Sequence, residues 1–84
     1  MDDIEAEKWI EFGRYVREIR NKKNVSMYYI EKEYNFSRQY FSRIELAKQK
    51  YALKPELIQK IASILEINYL DLYKIVGYAD YDSI

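Results

Sequence analysis

Residues 25–47, VSMYYIEKEYNFSRQYFSRIELA, leave little freedom in local structure. Ser26 and Ser37 each stand just before a short helical run. Serine there satisfies the free N–H groups that every helix start exposes. Tyr29 rather than Glu occupies the third position after Ser26, so that start lacks a full capping box. Ile30 and Tyr34 fall on the buried side of the first run, and Phe41 and Ile44 on that of the second. Asn35 makes the turn between them, and Phe36 plugs the gap between the two helices. The segment therefore predicts two short helices joined tightly.

The flanking sequence predicts three more helices and no strand. Trp9, Phe12, Val16 and Ile19 recur at spacings of three and four, which draws one face of a helix from about residue 3 to residue 23. Ile4 extends that seam backwards. Asn24 tolerates the left-handed conformation that ends a helix, and Lys22 and Lys23 suit the negative end of its dipole. Residues 46–54 read as a loop rich in Lys and Gln. Pro55 fits a first helical turn, and Leu57, Ile58, Ile61, Ala62 and Leu65 then form an inward face. Asn68 caps a last short helix that Gly77 ends. The expected architecture is a compact all-α domain of five helices over residues 9–77. An acidic extension, 1–8, joins the first helix, and a tail, 78–84, follows the last.

Composition narrows the chemistry. The 84 residues allow one domain and one small core. Cysteine and histidine are both absent, which removes disulfides, thiolate chemistry, the commonest zinc ligand and the commonest general base. The remaining acid–base groups form no suggestive cluster, so neither an enzyme, a metal, a cofactor nor a small-molecule substrate is expected. No apolar run is long enough to span a bilayer, and the acidic start has the wrong sign for a secretion signal. A cytoplasmic location with no membrane partner is the expectation. The formal net charge is zero, but it is unevenly spread. Residues 1–13 set Lys8 against five carboxylates, a net −4, and residues 61–84 set Lys74 against four, a net −3. Residues 14–60 hold twelve Lys and Arg against five Glu, a net +7. An even scatter over a solvated surface is the plainer alternative.

The second of the paired helices carries the sharpest chemistry. Arg38 and Gln39 open it, and Ser42 and Arg43 stand one turn on. Arg offers paired donors to guanine O6 and N7, and Gln pairs with adenine N6 and N7. Tyr40 reaches a thymine methyl or a phosphate. This set is expected to touch bases of double-stranded DNA in the major groove; as isolated surface residues, Arg38 and Arg43 would simply be solvated cations. Phosphate contacts are expected from Ser26 at a helix start, from Tyr28 and Ser37, and from Lys48, Gln49 and Lys50 just past the reading helix. Arg14, Lys22 and Lys23 are weaker candidates, and Lys54 and Lys60 read as solubilising charges. Arg20 follows buried Ile19 and Glu45 follows buried Ile44, so the two are candidates for a bidentate pair at the core boundary. Of the ten tyrosines, Tyr69, Tyr73, Tyr78 and Tyr81 gather at the C-terminal end, where they read as a self-association surface or as packing of the last helix.

Three stretches taken in order, FGRYVREIRNKKNVS, IEKEYNFSRQYFSRIELAKQK and LIQKIASILEINYLDLY, resemble the lambda-repressor-like (Xre/Cro-type) helix-turn-helix family. The shared marks are Ser26 opening helix two, Ser37–Arg38 opening helix three, and Ile44–Glu45 closing it. The resemblance runs from Phe12 to about Gly77. It implies a five-helix fold, an Arg20–Glu45 pair, and a transcriptional regulator, a repressor in the first instance, that binds operator DNA as a homodimer. Four positions depart from the pattern. Met27 replaces a phosphate-binding Gln, Glu31 a small Ala, Asn35 the turn Gly, and Ala47 the Gly after helix three. The loop before helix four is also about two residues longer than is usual in the family. Neutral overall charge, Met27 and Glu31 keep a second expectation open. It is a protein-binding module on the same fold, an antitoxin or phage-type inhibitor that meets its partner through the tyrosines.

Overall fold

Helix starts and stops fall where the caps place them. The computed structural model describes residues 3–78, with side chains from residue 6 onward. The helices are α1 Asp3–Lys22, α2 Met27–Tyr34, α3 Arg38–Glu45, α4 Pro55–Leu65 and α5 Tyr69–Val76, with no strand among the described residues. The oxygens of Ser26, Ser37 and Asn68 accept the N–H groups of Tyr29, Tyr40 and Leu70 at 3.0, 3.2 and 3.0 Å. Each satisfies a donor that its helix cannot. Pro55 opens α4 without a side-chain cap.

Each helix is followed by a residue with positive φ: Asn24, Asn35, Ala47, Glu66 and Gly77. At Ala47 the geometry is a Schellman closure. Lys48 N–H donates to the Arg43 carbonyl at 2.7 Å and Ala47 N–H to that of Ile44 at 3.1 Å. The same pair of bonds closes α1 at Asn24 and α4 at Glu66. The closure of α4 is reinforced from outside, because Lys23 Nζ donates to the carbonyls of Leu65 and Glu66 at 2.8 and 3.1 Å. Lys23 thus serves the negative end of α4 rather than that of its own helix.

The predicted inward faces meet in one core. Trp9, Phe12, Val16, Ile30, Phe41, Ile44, Ile58, Ile61 and Leu65 are fully buried, and Phe36 fills the gap between α2 and α3. Leu53, Ile64, Leu72 and Val76 complete it. Burying each large side chain stabilises the fold by about 1.5–3 kcal/mol. Helix α1 packs on α3 and α5, α4 on α5, and α2 on α3. The contact of α1 with α3 depends on Gly13. A Cβ at that position would press on the carbonyls of Ile44 and Glu45, lying only 2.5 Å from the former.

The C-terminal tyrosines correct one expectation. Tyr73 is buried, and its hydroxyl accepts from Gln59 Nε2 at 2.8 Å. Tyr69 and Tyr78 are half-buried and meet Tyr73 edge-on, at centroid distances of 5.0 and 5.8 Å. Tyr78 also meets Trp9 edge-on, and its hydroxyl donates to the Leu53 carbonyl. These three rings pack α5 and the residues after it onto α1 and α4 instead of forming an open surface. Tyr81 lies outside the described residues.

Candidate nucleic-acid interface

The exposed side of α3 follows from what its other side must bury. Phe41, Ile44 and Glu45 turn inward. With 3.6 residues per turn, Gln39 and Arg43 then share the opposite face, one turn apart. Arg38, Gln39 and Arg43 are all exposed, and Ser42 is half-buried. Tyr40 is partly restrained. Its ring stacks on Phe36 at 5.7 Å with the planes 15° apart, and 37% of its surface stays exposed.

Two ion pairs hold this helix, and they differ in kind. Arg20 Nε donates to Glu45 Oε2 at 2.6 Å and Nη2 donates to Oε1 at 3.2 Å, while Nη1 donates to the Val25 carbonyl at 3.1 Å. The side chains are 15% and 3% exposed, so this is a bidentate pair at the core edge, as the residue positions predict. It ties the last turn of α3 to α1 and to Val25, which precedes the Ser26 cap of α2. The second pair joins Glu31 of α2 to Arg38, and both side chains are about half exposed. Glu31 Oε2 accepts the Arg38 backbone N–H at 3.1 Å, and Oε1 lies 3.0 Å from Arg38 Nε. Glu31 therefore occupies a position where the family usually has Ala by reaching across to the start of α3. Met27, where Gln is usual, is half-buried against the core.

Past α3 the chain forms the wall of an open groove of about 680 Å³. Arg43, Lys48, Lys50 and Lys54 line it together with Tyr40 and Tyr51. The structure thus gathers Tyr40, Arg43, Lys48 and Lys50 from among the expected site residues. Gln49 also lines the groove, but its side chain is buried and neither its Oε1 nor its Nε2 has a hydrogen-bond partner among the described residues. It was expected as an exposed phosphate contact, but the turn after Ala47 tucks it inward instead. Ser26 borders a separate depression with Asn24 and Val25, and Tyr28 is exposed on α2. The carbonyls of α4 already engage Lys23, and Lys60 Nζ lies 5.3 Å from the centre of the Phe36 ring. Tyr51 is 79% exposed beside Lys50, and its place in the groove was not anticipated. A tyrosine hydroxyl beside a lysine is able to meet a duplex phosphate, and that pairing of residues was present in the sequence. Tyr29 lies beside Tyr34. Repulsion between the two phenolates, then the hydrogen bond between the side chains, holds the Tyr29 hydroxyl above the ordinary tyrosine range.

A short helix capped by Ser37, set across a second helix and exposing Arg and Gln outward, is the reading unit of a helix-turn-helix protein. The helix-turn-helix family model HTH_3 matches residues 16–72. The chain belongs to this family of lambda-repressor- and Xre-like DNA-binding regulators, which are not generally enzymes. No curated protein matches it. No helix among the described residues is long and apolar enough to cross a membrane.

Proposed function

We propose that this protein is a site-specific repressor of transcription that binds operator DNA as a homodimer. Two copies of α3 would enter successive major grooves of a two-fold site, about 34–36 Å apart, and block polymerase by occupancy. Arg38, Gln39, Ser42 and Arg43 are the base-reading residues, with Tyr40 at their edge. Lys48 and Lys50 take phosphates on one flank, and Ser26, Tyr28 and Ser37 take them on the other. The observation that carries this reading is the exposed row of Arg38, Gln39 and Arg43, continuous through Arg43 with a lysine-lined groove. The rival reading, a protein-binding module, drew on the tyrosine cluster, and the packing of Tyr69, Tyr73 and Tyr78 leaves that support weak.

Selecting bound duplexes from a random pool gives the test. A two-fold consensus is expected. On that site Arg38→Ala should cost about 1–3 kcal/mol and relax preference at one base pair. Lys48→Ala should weaken consensus and random duplex alike and lower the salt slope by about one. Identical behaviour of the two variants on both duplexes would overturn the assignment of roles, and no binding even in dilute buffer would overturn the function.

A further inference from the structure

We propose that Glu31 is a positioning residue for base readout: its carboxylate holds Arg38 by Nε and leaves the outer Nη pair for a guanine. The inference rests on the DNA-reading function just proposed and adds to it a residue that contacts no base. Three features carry it. First, the carboxylate spans two points on one residue, accepting the Arg38 backbone N–H with one oxygen and lying 3.0 Å from Nε with the other. That gives one carboxylate two holds on Arg38, one at its backbone and one near the far end of a side chain that otherwise has four free torsions. Second, neither Nη donates a hydrogen bond among the described residues, and the Arg38 side chain is 55% exposed. A guanidinium presents its five donors in a rigid fork, so engagement at Nε leaves the Nη1–Nη2 edge able to meet O6 and N7 together. Third, Glu31 is itself 44% exposed on α2, a helix whose inward side is set by Ile30, so core packing does not require a carboxylate there.

Without this tether Arg38 would sample many rotamers, and guanine would have to select one of them. With it, part of that ordering is complete before DNA arrives. This ordering raises discrimination at the base pair that Arg38 reads.

The experiment uses the selected duplex and the same duplex altered at the base pair whose preference Arg38→Ala abolishes. Glu31→Ala should reduce discrimination at that pair by about two- to fivefold, the range expected from losing an exposed ion pair. It should leave discrimination at the other pairs unchanged and have no effect on discrimination when Arg38 is already Ala. Glu31→Gln keeps an acceptor for the Arg38 N–H and so keeps the start of α3 intact. It should lose discrimination like Glu31→Ala while melting like wild type, which separates positioning from stability. Wild-type binding combined with unchanged discrimination in both Glu31 variants would overturn this role alone. A wild-type protein that binds no duplex would overturn the DNA-reading function and this inference with it.

Discussion

Ala47 is where one side chain most visibly works against its backbone. Its φ of +56° lies in the left-handed region, which costs an L-residue about 1–2 kcal/mol. The Schellman closure requires it there, because Lys48 must fold back onto Arg43. Ala47→Gly should raise stability by up to about 1 kcal/mol, since relief of strain exceeds the extra freedom glycine gives the unfolded chain; thermal melting checks this. Gln49 offers a second test. A buried amide without hydrogen-bond partners among the described residues carries an uncompensated desolvation cost, so Gln49→Met should be as stable as the wild type or more stable by up to about 1 kcal/mol in thermal melting. If duplex affinity fell as well, the amide would be turning outward on binding. At Glu45 the sign reverses. Glu45→Ala strands a largely buried guanidinium, and a loss of about 3–5 kcal/mol in urea unfolding is expected.

Among the helices, the boundaries were readable because each rests on a local rule. Ser26, Ser37, Pro55, Asn68 and Gly77 mark starts or stops that depend on their immediate neighbours alone. The Arg20–Glu45 pair was legible for a related reason, since Glu45 follows buried Ile44 and Arg20 follows Ile19, which packs partly buried against the core. What the sequence hid were relations between helices. Gly13 looks unremarkable in a pattern of period 3.6, and only the arrival of α3 explains the missing Cβ. Gly13→Ala gains about 1 kcal/mol of helix propensity. It should nevertheless destabilise the fold by a net of about 1–3 kcal/mol, because the carbonyls it meets belong to backbone that cannot rotate aside; calorimetry would show it as a lowered Tm. Glu31 is a parallel case: its own helix gives no reason for a carboxylate where a small Ala is usual, and only the approach of Arg38 gives it a partner. The tyrosine cluster failed for the opposite reason. Its spacing was visible, but whether it faced solvent or Trp9 depended on where the chain runs after α5.

For the whole molecule, zero net charge conceals a division of labour. The cations lie in the middle of the chain, and four of them share one groove. If Lys48, Lys50 and Lys54 each neutralise a phosphate while Arg43 reads a base, the logarithm of the binding constant should fall with log salt at a slope of about −3 per protomer. A slope near zero would show that the groove does not face the duplex. The spacing between α1 and α3 at Gly13 has a wider consequence. Because peptide groups rather than adaptable side chains set that distance, the outward residues of α3 can be exchanged without shifting the platform beneath them. A library varying only Gln39, Ser42 and Arg43 should therefore yield folded members with new preferred sequences. The scaffold would act as a fixed handle for interchangeable lettering.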